Sequence, residues 1–407
     1  GRVGGDGVMA KNQYKKEPLK NNVEEMFIGP FGSSLKNECF VDEEDAYCMV
    51  YEQKHAIQKT LDGKNRFVDK NKYYELKRFT IKPGDIIVSC RGTIGETFIV
   101  PENAPLGIMH PSIMKIRLKP NVYNIEYFNL LLKNRLKDYN KSANGSGIKM
   151  AISATELGKE MFPIPPMDEQ QKVSKIFLTV DRLIVLRQQQ LSKLDKLVNA
   201  QFVEMFGDCK TNPKNWKTKA LEKIANVGSS KRVFVEELQD SGIPFYRGTE
   251  IGALAEKKTV KPELFITEEH YKQLCESTGK PQKGDLLMQS ICPDGRIWIV
   301  DTDEPFYFKD GRVLWVHLTS ANYNSVFLLY TLKDRIMTDY ASIASGTTFA
   351  ELKIFALKKC KVFDVPLELQ DQFANFVECV DQQKQTVQQS LEKLEVMKKA
   401  LMQEYFE

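Results

Sequence analysis

The chain has 407 residues, 42% of them hydrophobic, which predicts two or three domains with their own buried cores. Its net charge of +4 is too small to identify nucleic acid as the partner on charge alone. There is no run of about 18 apolar residues, and the first residues lack the apolar core of a secretory signal, so we expect neither a membrane span nor export. Residues 1–10 are interpreted as vector-derived or disordered.

Residues 11–165 are predicted to form the first globular domain. Gly, Pro, Asn and Asp interrupt this segment, which carries strand-like runs at 86–88, 98–100 and 113–118 and an amphipathic helix at 125–139. This mixture predicts an α+β (mixed α/β) domain.

Residues 166–207 differ in amino-acid composition from the first domain and are predicted to form one long helix. Pro166 opens it, where a missing N–H costs nothing, and Asp168 and Glu169 follow at the positive end of the helix dipole. Alternate steps of three and four residues reach mostly apolar positions, as in the seam of a coiled coil. These positions are Val173, Phe177, Val180, Ile184, Arg187, Leu191, Leu194, Val198, Gln201 and Met205.

The rest of the chain repeats both parts. Residues 208–365 form the second predicted domain, with a strand at 312–318, and residues 366–407 form the second helix, opened by Pro366. The Gly-Asp-Ile-Ile motif at 84–87 returns as Gly-Asp-Leu-Leu at 284–287. Ordered matches at an almost constant offset indicate a duplication. The second seam comprises Phe373, Val377, Val380, Lys384, Val387, Leu391, Leu394, Lys398, Leu401 and Tyr405.

The order of the segments predicts their arrangement. The second domain is entered from the end of the first helix and left through the start of the second, so an antiparallel pair of helices brings those two ends together. About forty residues of helix then separate the domains by roughly 60 Å. We expect a pseudo-twofold tandem repeat in which the spacing matches one to two turns of B-DNA.

Polar loops at similar places in the two copies are candidates for DNA contacts, because small residues admit phosphates and Arg can grip guanine through two hydrogen bonds. The alternative is that they are ordinary polar turns. The predicted DNA-binding residues are Gly32, Ser33, Ser34, Lys36, Arg91, Thr93, Ser146 and Lys149 in the first copy, and Ser229, Ser230, Lys231, Arg232, Arg247, Arg296, Thr347 and Thr348 in the second.

No residues are predicted to be catalytic or to bind a metal. The eight cysteines form no Cys-x-x-Cys pair, and Cys90 and Cys379 are interpreted as buried small hydrophobes of a reduced protein. The four histidines lack metal or triad spacing. A phosphate loop is absent, and the two prolines at 165–166 lack the amide and aromatic residue of an adenine methyltransferase motif. We therefore expect a non-catalytic protein.

The Pro-Pro-Met-Asp-Glu-Gln opening at 165–170, the helix after it, the domain start at Trp216 and the Gly-Asp strand entries resemble the specificity subunits of type I restriction–modification systems. The resemblance covers residues 11–407. The second copy departs from it, with Val-Pro-Leu-Glu-Leu-Gln at 365–370, which weakens any inference about contacts at that corner.

The resemblance implies that each domain is a target-recognition domain that reads one half of a bipartite site in double-stranded DNA. The helices would be spacers that dock two methyltransferase subunits, with endonuclease subunits joining them. It implies no cofactor on this chain, with S-adenosylmethionine, ATP and Mg on the partner subunits, and a cytoplasmic, prokaryotic setting. Because the two sets of loops differ, the half-sites should differ. The alternative is a non-enzymatic scaffold whose two domains bind protein partners.

Overall fold

The computed structural model describes residues 14–143, 153–345 and 350–406. The described residues form two compact units. Unit 1 combines the residues up to Leu186 with those from Leu391 onward, and unit 2 is Arg187–Ser390. Each unit therefore holds one globular part together with portions of both long helices.

Unit 1 begins with ten short strands interspersed with helices. Its strands are β1 (Lys16–Pro18), β2 (Val23–Ile28), β3 (Cys48–Tyr51), β4 (Arg66–Val68), β5 (Thr80–Ile81), β6 (Ile86–Ser89), β7 (Thr97–Ile99), β8 (Gly107–Met109), β9 (Ile113–Leu118) and β10 (Met161–Pro163). Its helices are α1 (Gln53–Gln58), α2 (Lys70–Glu75), α3 (Ile125–Ala143), α4 (Ala154–Lys159) and the first part of α5 (Met167–Phe206).

Two four-stranded sheets organise unit 1. One is antiparallel with the order β2-β9-β6-β7, and the other has the order β4-β3-β8-β5 with a parallel β3–β8 pair. A small pair, β1-β10, joins the start of the unit to the strand before α5. The helix α3 packs Phe128, Leu132 and Leu136 into the core on one side of the first sheet.

Unit 2 has a matching series of elements. Its strands are β11 (Thr218–Ala220), β12 (Ala225–Gly228), β13 (Ile243–Tyr246), β14 (Phe265–Ile266), β15 (Leu286–Gln289), β16 (Ile297–Ile299), β17 (Tyr307–Phe308), β18 (Val313–Leu318), β19 (Ala344–Ser345), β20 (Glu351–Leu352) and β21 (Lys361–Phe363). Its helices are α6 (Gly248–Ala255), α7 (Glu268–Thr278), α8 (Ser325–Ile343), α9 (Ile354–Lys359) and the first part of α10 (Leu367–Phe406).

The sheets of unit 2 repeat those of unit 1. The antiparallel sheet β12-β18-β15-β16 corresponds to β2-β9-β6-β7, and β14-β13-β17 corresponds to β4-β3-β8, including the parallel pair. The register repeats as well, since Ile86 pairs with Ile116 and Leu286 pairs with Val316. The predicted fold class, two similar mixed α/β units joined by two long helices, is confirmed.

The repeated Gly-Asp motif is a tight turn into the central strand of each sheet. Gly84 and Gly284 have φ angles of 81° and 94°, a conformation that L residues with side chains rarely adopt. The aspartates that follow are buried, and Asp85 and Asp285 accept hydrogen bonds from the backbone N–H groups of Lys82 and Gln282 at 2.8 Å. The motif therefore marks a structural turn in both units.

The helices α5 and α10 pack against each other in antiparallel register within each unit. In unit 1, Lys398 forms an ion pair with Asp181 at 2.5 Å. In unit 2, Lys384 forms one with Asp195 at 2.6 Å. Every predicted seam residue is buried or half-buried, so the prediction of a coiled-coil seam is confirmed. Its charged members are held by partners at the seam.

The last aromatic residue of each long helix enters the core of the unit in which that helix ends. Phe406 stacks within 5.8 Å of Phe177 and 5.5 Å of Tyr127 in unit 1. Phe206 lies 4.8 Å from Phe327 and 5.6 Å from Phe373 in unit 2. Each unit is therefore completed by the end of a helix that began in the other.

The corner that opens each long helix is built alike in both units. Gln170 is fully buried, accepts from the N–H of Asn124 at 2.8 Å and donates to the carbonyl of Pro165 at 2.8 Å. Gln370 makes the same contacts with Asn324 and Val365, each at 2.9 Å. The sequence departure at 365–370 leaves this corner unchanged because the glutamine is retained.

The cysteine predictions are only partly right. Cys90 is buried, and burial raises the pKa of its thiol to about 12. Cys379 is exposed, so its prediction as a buried residue is wrong. Val377 and Val380 occupy the seam of α10, and at 100° per residue the position between them turns away from it. An apolar run along a helix does not bury all of its members.

Candidate nucleic-acid interface

The first predicted loop of unit 1 is an exposed turn anchored by one apolar side chain. Gly32–Ser34 forms a single 3-10 turn, and Gly32, Ser33 and Lys36 are exposed while Ser34 is half-buried. Leu35 is buried against the β4-β3-β8-β5 sheet and fixes the loop. The ammonium group of Lys36 is accessible to a phosphate.

The equivalent loop of unit 2 is more tightly fastened. The hydroxyl of Ser229 donates to the carbonyl of Val313 at 2.6 Å, and that of Ser230 donates to the carbonyl of Phe308 at 2.6 Å. These hydroxyl protons are committed within the unit, whereas the side chains of Lys231 and Arg232 are exposed. The two serines therefore hold the loop, and the two cations remain accessible at its surface.

A second pair of predicted loops follows the strands that carry the Gly-Asp turns. Gly92 and Gly295 have φ angles of 67° and 65°, so the backbone turns in the same way in both. Arg91 and Thr93 are exposed, and Arg91 has no ion-pair partner among the described residues. Arg296 instead pairs with Asp294 at 2.6 Å and with Glu256 at 3.2 Å.

Two predicted arginines flank the helix α6 in unit 2. Arg247 precedes it and pairs with Glu250 at 2.6 Å and with Glu263 at 2.9 Å. The hydrogen bond to Glu250, and then that to Glu263, raise the pKa of Arg247. Arg296 reaches Glu256, which follows the end of the same helix. Both guanidinium groups are therefore partly engaged by carboxylates, which would compete with guanine for them.

Four predicted residues lie outside the described part of the chain. They are Ser146, Lys149, Thr347 and Thr348. For all sixteen predicted DNA contacts the assignment to DNA remains a prediction.

A cavity beside the loop at 229–232 was not predicted from the sequence. It has a volume of about 370 Å³ and lies over the antiparallel sheet of unit 2. The available signal was the spacing of Trp315 and His317, because residues two apart on a strand share one face. Its lining residues are Asn226, Val227, Gly228, Ser229, Thr278, Gly279, Lys280, Gln282, Trp315 and His317.

Each histidine has a polar partner of its own, which in no case is another histidine. His55 is buried, accepts from the N–H of Glu52 at 3.0 Å through Nδ1 and contacts Asn65 through Nε2, and burial lowers its pKa. Across residues 14–143, 153–345 and 350–406, no group of three or more His, Cys, Asp or Glu side chains is arranged to hold a metal ion. In the same ranges no helix is long and apolar enough to cross a bilayer.

A family model described as the type I restriction modification DNA specificity domain matches this chain twice. The matched residues are 43–196 and 213–396, one match for each copy of the repeat. The chain belongs to this family. The resemblance inferred from the sequence is thereby confirmed, and the protein is a specificity subunit with a role in DNA recognition.

Specificity subunits from Methanocaldococcus jannaschii and Haemophilus influenzae are similar to more than half of this chain. The type I restriction enzyme MjaVIII specificity subunit of Methanocaldococcus jannaschii is 22% identical over 355 residues, 80% of this chain and 79% of that protein. A putative specificity subunit of Haemophilus influenzae, S.HindORF215P, is 25% identical over 244 residues, 56% of this chain, and the match spans 57% of that protein's length.

A solved specificity subunit shares the fold. The crystal structure of the type I restriction–modification system S subunit from M. genitalium superposes with a TM-score of 0.55, covering 97% of this chain and 96% of the other. The two sequences are 16% identical, so this likeness concerns the architecture.

Proposed function

We propose that this specificity subunit reads an asymmetric, bipartite site in double-stranded DNA, with one half read by each unit. One observation carries the proposal: the four-stranded antiparallel sheets of the two units repeat strand for strand, while the loops at equivalent positions carry different side chains. Lys36 lies in the first loop of unit 1, whereas Lys231 and Arg232 lie in that of unit 2. Two units with the same sheet scaffold and different loop side chains are suited to read two half-sites of different sequence.

The long helices are proposed to dock two methyltransferase subunits, which endonuclease subunits would join. Apolar side chains on the outer faces of these helices support this assignment. Leu178 and Val185, one heptad apart, are exposed on α5 in unit 1, and Leu197 and Val203 are exposed on α5 in unit 2. Exposed apolar side chains repeated along a helix are typical of an interaction surface.

We propose that this chain recognises DNA and that its partner subunits perform the chemistry. In this view S-adenosylmethionine, ATP and Mg are bound by the partner subunits. The candidate residues on the exposed loops are cations, small residues and hydroxyls, which suit positioning on phosphates and reading of base edges.

Selection of bound sequences from a random duplex pool, with the cognate methyltransferase subunit present, tests the proposal. We expect two short, unlike motifs at a fixed spacing. A pool that remains featureless, or a single motif without a partner motif, would contradict the proposal. The methyltransferase subunit alone, without this chain, is the control and should enrich neither motif.

A further inference from the structure

The cavity of unit 2 has two aromatic rings fixed by one buried carboxylate. Asp285, which is 3% exposed, accepts from Nε1 of Trp315 and from Nδ1 of His317, each at 2.7 Å. A carboxylate accepts hydrogen bonds, so Nδ1 carries the proton and Nε2 of a neutral imidazole is left as an acceptor. Among the described residues Nε2 has no hydrogen-bond partner, and the imidazole is 30% exposed. The rings are held before any ligand arrives.

The walls of the cavity are joined to each other by one tyrosine hydroxyl. Tyr307 makes a hydrogen bond at 2.8 Å with the hydroxyl of Thr278, at the end of α7. The same hydroxyl accepts from the N–H of Lys231 at 3.2 Å, in the predicted DNA-binding loop. This loop and the segment that carries Lys280 and Gln282 are therefore fixed relative to one another.

In unit 1, charged side chains of the same sheet occupy the position that corresponds to the cavity of unit 2. The repeated register makes Lys115 and Arg117 the counterparts of Trp315 and His317. Arg117 holds Asp85 through two hydrogen bonds of 2.7 Å. Lys115 is 1% exposed and donates to the carbonyl of Thr80 at 3.0 Å. In both units the buried carboxylate thus receives two side-chain hydrogen bonds, from one arginine in unit 1 and from two aromatic rings in unit 2, so the scaffold itself does not require aromatic donors.

We propose that this cavity binds one extrahelical nucleotide of the DNA target, an inference that rests on the proposed function. The exposed part of the Trp315 ring offers a stacking surface, and Nε2 of His317 can accept from a base amino group. The amides of Asn226 and Gln282 can meet the remaining base edge, and the exposed ammonium of Lys280 suits the phosphate. The volume of about 370 Å³ falls within the range of small-ligand pockets, roughly 300–1,000 Å³.

The first test uses variants that leave the partners of Asp285 in place. Lys280→Ala and Gln282→Ala remove two lining side chains, while the backbone N–H at 282 still bonds Asp285. With the methyltransferase subunit present and a duplex carrying the selected site, we expect each variant to bind at least about fivefold more weakly. The base preference should relax at one position of one half-site. Lys272→Ala, which removes an exposed cation from α7, is the matched control and should stay within about twofold of wild type.

The second test asks whether a base meets Trp315 directly. Photoreactive analogues that keep the base amino group, 5-iododeoxycytidine for cytosine, 8-bromodeoxyadenosine for adenine and 8-bromodeoxyguanosine for guanine, replace these bases of the selected site one at a time, and the complex is irradiated. We expect a cross-link from one position to the peptide that contains Trp315. No cross-link to this peptide from any position would overturn the proposal. So would saturable quenching of tryptophan fluorescence by free deoxynucleoside monophosphates without any cross-link, since this would assign the cavity to a free nucleotide.

The outcomes separate this inference from the function on which it rests. If selection returns two motifs but the two alanine variants bind like Lys272→Ala, only the nucleotide cavity is wrong. If selection returns no motif, the proposed function fails and the cavity proposal fails with it.

Discussion

At the scale of single residues, the two buried aspartates show how one structural requirement is met by different partners. Asp85 depends on Arg117, whose side chain is 15% exposed. We expect Arg117→Ala to lower the free energy of unfolding of unit 1 by about 3–5 kcal/mol, because it leaves a buried charge unpaired. Hydrogen exchange of the β6 amides measures this change. Arg66→Ala, which breaks the Glu52 pair of a 47% exposed side chain, should cost under about 1 kcal/mol. Equal effects of the two variants would contradict the account.

The exposed cations of the two first loops should affect DNA binding differently. Arg232 lies over the ring of Phe234, with 5.4 Å between guanidinium and centroid, which limits the orientations it must lose on binding. We expect Arg232→Ala to weaken binding by about 1–3 kcal/mol. Lys36→Ala should mainly reduce the slope of log affinity against log salt, by about 0.9. Both are measured by titration of labelled duplex at several salt concentrations. Unchanged affinity in both variants would refute the choice of these loops.

The positions of the loops could be predicted from the sequence, whereas the roles of several of their side chains could not. Gly92 and Gly295 could be placed because a glycine after a strand is a strong local signal. The internal hydrogen bonds of Ser229 and Ser230 could not be, since their acceptors lie more than seventy residues away along the chain. For the same reason the contact of His317 with Asp285 could not be predicted, because it depends on strand pairing that the sequence does not state.

At the scale of elements, the ends of the long helices should stabilise different units. Phe206 and Phe406 are both buried aromatic residues. We expect Phe206→Ala to destabilise unit 2 and Phe406→Ala to destabilise unit 1, each by about 3–5 kcal/mol. All three tryptophans lie between residues 216 and 315, so tryptophan fluorescence reports the unfolding of unit 2. Only Phe206→Ala should shift the fluorescence transition, while both variants should shift the circular dichroism transition. A shift of the fluorescence transition in the Phe406→Ala variant would contradict this assignment.

The spacing of apolar residues predicted where strands and helices lie better than it predicted which residues of a helix are buried. The predicted strand at 113–118 matches β9 residue for residue, and the predicted helix at 125–139 lies within α3. Near the end of α5 the alternate steps reach Gln201 and Met205, whereas the fully buried residues are Phe202 and Phe206. There the helix leaves the pairwise seam and meets the globular core of unit 2. A 3.5-residue period describes contacts between two helices and cannot include this third surface.

At the scale of the whole molecule, the duplication was predictable because it leaves ordered matches in the sequence. The Gly-Asp motif repeats at an offset of 200 residues. The pairing of β6 with β9 repeats at the same offset in the pairing of β15 with β18. The division into compact units was not predictable from composition. Each long helix has a uniform composition along its length, yet its two parts belong to different units. This division arises because the aromatic residue at the C-terminal end of each helix packs into the core of the unit in which that helix ends.

If the long helices are the spacers that the family resemblance implies, lengthening both of them should move the two half-sites apart. Seven residues are inserted after Leu186 and seven after Ser390, so that the Asp181–Lys398 and Asp195–Lys384 pairs each remain within one unit. One heptad preserves the seam and adds about 10.5 Å of helix. Selection from a random duplex pool is repeated with the methyltransferase subunit present. We predict that both half-site motifs return unchanged and that the spacing between them increases by about three base pairs, at roughly 3.4 Å per pair. An unchanged spacing, or altered motifs at the old spacing, would contradict the account.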